Sequence, residues 1–394
     1  MDILISGASV AGPALALWLS RYGHDVTVVE KAPALRGGGY AVDFRGPVHL
    51  ATLDRMGLRA ALEAKATHMG DIAVVDGAGE RLTALPSAIF SGDVEVLRGD
   101  LAEVLYAATR ERVRYRFGDQ ITAVDQDETG VDVRFAGGTA ERYDLLIGCD
   151  GVHSGVRRLV FGDDPETRKP LGVYGAIFTM PGTLGLHRSG IMYSEPGRSV
   201  TVSSPHGGNQ IVSLSFYEPG LEYDYRDPDQ QRRIIAARFA DAGWRTPELL
   251  AAMEHADDFW FDSTTQIHLP RWSQGRVALL GDAGFAGGPG GNGTGLAIVG
   301  AHVLAGELDR ARGDHRVAFA RYEDLMRPYV ATCQKQADAG PDFLVPLTWR
   351  KIAQRNRFFK MIRYMPIAPR LISRLASRTA AAFDLPTYEL PALR

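Results

Sequence analysis

Three constellations of glycine and acid could do chemistry. The first is Gly7-Ala8-Ser9-Val10-Ala11-Gly12, with Glu30 and Lys31 further on. Glycines in a tight strand-to-helix turn let a pyrophosphate approach backbone N–H groups at a helix start. An acid about 20 residues later can accept ribose hydroxyls. Ser9 stands where the middle glycine of this fingerprint usually falls. Glu30 suits an unphosphorylated ribose, as in FAD or NAD. The second is Asp150-Gly151, after "DLLIGC" and before Ser154 and Arg157. Alone it is an ordinary turn signal. The third is "GDAGFAGGPGGNGTG", Gly281 to Gly295, in which eight of fifteen residues are glycine. Asp282 closes the apolar run 277–280, at the carboxyl edge of a sheet where ligands bind in such folds. A buried carboxylate needs partners, and sugar-alcohol hydroxyls would serve. The glycines beyond it bring backbone N–H donors to a helix start, which favours negative charge.

The elements that must hold these groups are legible. Residues 2–30 read as strand, glycine turn, helix, strand. Ile3, Leu4 and Ile5 fill the first strand, and Val26, Val28 and Val29 the second, both buried. Helical patterns follow over 47–64 and 99–111, with strands over 71–97 around a turn at Asp76-Gly77. The segment 113–147 alternates apolar and polar residues, turns at Gly137-Gly138 and ends in a buried strand. From 165 to 273 short strands alternate with loops, interrupted by one helix near 228–240. This predicts an open antiparallel sheet inserted into the first domain. The expected domains are 1–164 and 274–342 for the nucleotide-binding part, 165–273 for the sheet and 343–394 for a helical tail. Residues 343–383 carry nine Lys or Arg and no Asp or Glu, which reads as a packing helix with a solvated basic face.

Composition narrows the class. With 394 residues, a net charge of −3 and 45% hydrophobic residues, the chain has length for a sizeable core and about two domains. The charge balance argues against a nucleic-acid partner. Cys149 and Cys333 make no disulfide framework and fit a reducing cytoplasm. The apolar start "ILISGASVAGPALALWL" lacks a basic leader and is broken by Gly7, Gly12 and Pro13, so it reads as neither signal peptide nor span. The histidines show no metal-ligand spacing.

Fingerprint first, Asp-Gly in the middle and Gly-Asp late: in this order the motifs resemble the class A flavoprotein monooxygenases, the para-hydroxybenzoate hydroxylase family. The resemblance runs from residue 3 to about 305. It is nearest to the tetracycline-inactivating and actinobacterial tailoring enzymes. It implies an α/β fold: a Rossmann-like FAD-binding domain, an inserted antiparallel-sheet substrate domain and a C-terminal helical segment. It implies that Gly7, Ser9 and Gly12 meet the FAD pyrophosphate, with Glu30 on the adenosine ribose and Lys31 among the cofactor-binding residues. Arg36 and Asp43 would lie next to the flavin, and Arg98 at the phosphate and ribityl region. Asp150 would serve the cofactor site, and Asp282 the ribityl chain. Gly291, Asn292, Gly293 and Thr294 would face the pyrimidine end of the flavin. Arg45, near the isoalloxazine edge, is the catalytic candidate. The chain departs from the family where GDAAH reads GDAGF, at Gly284 and Phe285. The following proline-glycine run is also one residue shorter.

The implied activity is monooxygenation. NADPH or NADH reduces FAD, O2 adds at C4a to form a hydroperoxide, and one oxygen passes to a bulky aromatic or polyketide-like substrate. The chemistry is the cofactor's, and the protein orients and shields it. Hydroxylation, epoxidation and Baeyer–Villiger insertion stay open. Ile177, Tyr193, Val202 and Phe216 are candidates for the substrate pocket in the sheet. The expected form is a monomer or homodimer. Two alternatives remain: a flavin reductase or dehydrogenase without oxygenation, and a flavin-containing protein that only binds a planar molecule. A plain NAD-dependent dehydrogenase leaves Asp282 and the late glycines without a purpose.

Overall fold

The computed structural model describes all residues except 36, 289, 339, 363–377 and 390–394. Ile3, Leu4 and Ile5 cannot be solvated, and they form the centre of a six-stranded sheet. Its order is Ser273–Gln274, Val277–Leu279, Leu145–Gly148, Asp2–Ser6, Asp25–Glu30, Arg114–Phe117. All neighbours are parallel except at the Ser273–Gln274 edge. Ile3 lies between Leu145 and Val26. Helices cover the sheet, so its strands are continuous apolar runs rather than alternating ones. The helix Ala11–Arg21 packs against Gly293–Arg310. The three strand ends at Ser6, Glu30 and Gly148 thereby meet the turn before Asp282.

The second sheet has seven strands: Trp260–Ile267, Arg168–Pro181, Asn209–Tyr217, Arg198–Ser204, Ser189–Glu195, Ile72–Val75 and Arg81–Leu85. The last two come from 72–85, outside the expected 165–273. Strands predicted around Asp76-Gly77 therefore complete this second sheet, with Ile72–Val75 parallel to Ser189–Glu195. One face packs under two helices, Pro228–Phe239 and Thr246–Glu254, through Ile235, Phe239, Leu249 and Met253. The sequence reading anticipated only the first helix.

The tail forms a helix, Trp349–Ile362. It buries Ile352, Arg355 and Phe359, and Phe359 meets Ile72, Val74, Leu85 and Met192. Arg350, Lys351, Arg357 and Lys360 are exposed, as a packing helix with a basic outer face requires. Among the described residues no helix is long and apolar enough to cross a membrane.

Candidate functional site

At the first turn Gly7 has φ +108°, and a Cβ there would lie 2.5 Å from the Cys149 carbonyl oxygen. A Cβ on Gly12 would lie 1.9 Å from the Gly7 oxygen. Neither position admits a side chain, because three strand ends and a helix start converge there. The Glu30 carboxylate ends the second strand and accepts the Ala8 N–H and the Ala32 N–H, each at 2.9 Å. An acid is thus fixed beside the turn. Lys31 is exposed and lines a concavity of about 630 Å³ with Ala32, Pro33, Gly118, Asp119 and Gln120.

Ser9 explains its own departure from the fingerprint. Its hydroxyl accepts from Arg98, at 3.3 Å from Nε and 3.0 Å from Nη2. Arg98 begins a helix locked to the 38–40 loop: its N–H donates to the Tyr40 carbonyl, and the Gly99 N–H to the Gly38 carbonyl, both at 3.1 Å. A Cβ on Gly99 would meet the Gly38 nitrogen at 2.7 Å. Arg36 lies outside the described residues.

Asp282 follows Gly281, whose φ is +66°. It sits deep among protein groups yet faces the water of an open cleft. Burial raises its carboxyl above the usual value, the Arg98 charge opposes this, and Asp262 adds to it. Among the described residues no hydrogen bond offsets the burial. Tyr40 shares the cleft: its phenol is raised by burial, and it feels Arg98, Asp282 and Asp262. Its ring lies 6.1 Å from that of Trp260 on the second sheet. The cleft therefore lies between the two sheets. Asp262 accepts the Tyr223 hydroxyl at 2.8 Å and pairs with His153 at 3.1 Å. An orphan carboxylate beside a glycine cradle fits a ligand with hydroxyls next to a pyrophosphate, as FAD offers.

Beyond Asp282 the chain doubles back. Cβ atoms on Gly287 and Gly291 would clash with each other's backbone, at 2.8 and 2.7 Å. Asn292 adopts φ +55° and caps the next helix. Gly293 follows near Asp282, and Asn292, Gly293 and Thr294 are half-buried at the helix start. The GDAGF departure has a packing cause. Phe285 turns into the core against Trp272, 4.5 Å between ring centroids. A Cβ on Gly284 would crowd Leu279 at 3.1 Å.

Arg45, buried, forms an ion pair with half-buried Asp43. Arg45 also donates to the carbonyls of Ala88 and Ile89, each at 3.0 Å. Burial raises the Asp43 carboxyl, and Arg45 pulls it back. Arg45 is thus a charge clamped by a carboxylate and two carbonyls. His49 carries no signal in the sequence beyond its place one helical turn after Arg45. Its Nδ1 accepts the Arg45 N–H at 3.1 Å, and its Nε2 faces the Tyr329 hydroxyl at 3.0 Å. A Cβ on Gly295 would strike the His49 ring at 2.1 Å. Burial, aided by the Arg45 charge, pushes His49 down to about 4. The neutral ring ties Arg45 to the glycine loop. Asp150 is also engaged, accepting the Gly155 N–H at 2.7 Å, the Val156 N–H at 3.1 Å and the Ser154 hydroxyl. It caps the helix Gly155–Phe161.

The substrate candidates need correction. Ile177 is half-buried, paired with Trp260 on the cleft face of the second sheet. Tyr193, Val202 and Phe216 are 6%, 0% and 2% exposed, in the core beneath the two helices. Alternation with period two put them on the opposite face. The cleft face instead carries Thr201, Ser213 and Ser215, all half-buried. Tyr40, Trp260 and Asp262 were not anticipated either.

A glycine cradle, an orphan acid and an inserted sheet across the cleft define a two-domain flavoprotein. The family described as FAD binding domain matches residues 1–332. A flavin-dependent monooxygenase from an unknown prokaryotic organism is 37% identical over 395 residues, covering 98% of each chain. An uncharacterized protein of Mycobacterium tuberculosis is 43% identical over 336 residues, covering 83% of this chain and 90% of its own. The crystal structure of tetracycline destructase Tet(51) superposes with TM-score 0.84 at 33% identity, over 98% of this chain and 99% of that one. The chain belongs to the FAD-binding-domain family and is an FAD-dependent monooxygenase.

Proposed function

We propose that this enzyme uses NAD(P)H and O2 to insert one oxygen atom into a bulky aromatic or polyketide-like molecule held between the two sheets. The observation that carries this reading is the cleft between Asp282 and Tyr40 on one side and Trp260 and Ile177 on the other. Its walls are polar at the cofactor side and mixed at the sheet side. The likeness to a tetracycline destructase points to a polycyclic, polyoxygenated substrate.

Bound FAD supplies the reduction and oxygen activation. The chain's residues bind and orient it. Gly7, Ser9 and Gly12 would hold the pyrophosphate with Arg98, and Glu30 and Lys31 would hold the adenosine ribose. Asp282 would accept the ribityl hydroxyls. Gly291, Asn292, Gly293 and Thr294 would present N–H groups to the ring, with Asp43 alongside. Arg45 would fix a positive charge near the ring edge, oriented by His49. Trp260 and Tyr40 would exclude water from the reacting atoms.

The test is NADPH and NADH consumption by the FAD-loaded enzyme in air, with tetracycline and a panel of aromatic polyketides. Substrate-stimulated consumption with a product one oxygen heavier is the expected outcome. Consumption that no compound stimulates, with peroxide as the sole product, contradicts it.

A further inference from the structure

The tail helix Trp349–Ile362 turns aromatic rings toward solvent. Its rotation is fixed from the inner side. There Arg355 donates to the Phe343 carbonyl at 3.1 Å and to the Ser194 hydroxyl at 3.0 Å, and Ile352 and Phe359 are buried beside it. The outer side carries Trp349, Phe358 and Met361, which are 63%, 54% and 58% exposed, with Leu347 just ahead at 37%. Among the described residues nine large hydrophobics are exposed, and these four fall within fifteen positions. Exposed apolar residues scattered singly need no explanation, whereas a cluster marks a contact surface.

Basic residues fill the gaps. Arg350, Lys351, Arg357 and Lys360 are exposed between the apolar ones. Lys351 pairs with Asp342 at 2.8 Å, and among the described residues no acid pairs with the other three. The stretch 343–383 holds nine Lys or Arg and no Asp or Glu, although the whole chain has a net charge of −3. This face is therefore opposite in sign to the rest of the molecule. A protein groove reads a helix through one apolar stripe at i, i+3, i+4 and i+7. That spacing belongs here to Ile352 and Phe359, already used against the second sheet. At about 100° per residue, Trp349, Met361 and Phe358 fan across half a turn. Each has a cation next to it in the chain. A lipid headgroup layer accepts such a pattern: apolar side chains insert singly, while Lys and Arg keep their charge among the phosphates. A second copy of this chain would set cations against cations.

The place of the helix gives docking a consequence. Met192, Thr201, Ser213, Ile177 and Trp260 pair in turn across the second sheet and so share one face. Trp260 stands at the cleft, and Phe359 packs on Met192 at the other end of the row. We propose that the outer face of the tail helix docks on an anionic lipid surface, which brings this edge of the cleft face to the bilayer. The docking stands on the tail helix alone and does not depend on the proposed substrate.

The test uses the FAD-loaded full chain, sedimented with vesicles of phosphatidylcholine with or without about a third phosphatidylglycerol. Binding to the anionic vesicles alone is the expected result. It should fall at least tenfold between about 0.1 M and about 1 M salt, where screening shortens from about 10 to about 3 Å. Each cation at such a surface is worth roughly fivefold in partitioning, so the triple variant Arg350→Glu, Arg357→Glu, Lys360→Glu should stay in the supernatant. The double variant Trp349→Ala, Phe358→Ala should bind at least tenfold more weakly at unchanged charge. These side chains lie on the exposed face, so FAD content and melting temperature should match wild type. Wild type that ignores anionic vesicles overturns the proposal. Binding that the triple variant retains overturns it too, because the contact then lies elsewhere. Sedimentation equilibrium reads the remaining outcome: a dimer that the double variant dissociates, without vesicle binding, makes this face a contact between copies and rejects the lipid.

Discussion

In the parallel sheet the working groups stand at strand ends. In the large antiparallel sheet they stand on a strand face. At strand ends, glycine and acid are fixed by converging backbone: Gly12 lies against the Gly7 carbonyl, and Glu30 is held by two N–H groups. On the sheet, position is set by phase alone. Val202 is fully buried under helices, and its neighbour Thr201 faces the cleft. The first arrangement tolerates almost no substitution. The second lets the cleft face change without disturbing the core, as a family with many substrates requires.

Substitutions can break or sharpen this contrast. Gly12→Val should have the largest effect. Its side chain would enter the space of the Gly7 carbonyl, so the purified protein should carry no flavin, read as the ratio of visible to ultraviolet absorbance. Phe216→Ala comes next. A large buried ring lost from the core costs about 3–5 kcal/mol, seen by denaturant unfolding, with the flavin spectrum of the folded fraction unchanged. Ile177→Ala, one strand away on the other face, should instead leave stability within about 1 kcal/mol and alter KM for the substrate. A reversed pattern would overturn the face assignment.

Asp282→Asn should weaken FAD binding by roughly tenfold, the size of one charge-assisted hydrogen bond, measured by flavin fluorescence titration. The smallest effect concerns the cofactor-free protein. The Asp282 carboxyl is raised by burial, so its folded-state value exceeds the unfolded one. Its charge therefore disfavours the fold at neutral pH, and this penalty fades as pH falls through the raised value. Cofactor-free Asp282→Asn should melt above wild type at pH 7, and the difference should close toward pH 4, near the ordinary carboxylate range.

The same contrast decides what was legible in the sequence. Strand-end motifs depend on local spacing, so the Gly7 turn, Glu30 and the Asp282 bend are readable from residues 2–30 and 277–295. Two strands of the large sheet come from 72–85, and nothing local says which sheet they join. Phase was the other obstacle. "SVTVSS" and "QIVSLSF" alternate clearly, but alternation does not say which half faces the helices. The apolar half packs beneath them, and Tyr193, Val202 and Phe216 go with it. His49 is placed by contacts with Tyr329 and Gly295, far away in the chain.

The central claim is that the cleft between the sheets is an oxygenation chamber. The direct measurement is turnover under labelled dioxygen, with NADPH and the compound that most stimulates its oxidation, read by mass spectrometry of the product. The account predicts one oxygen atom in the product, derived from O2. Product formed with oxygen from water, or oxidised without gaining oxygen, would contradict it.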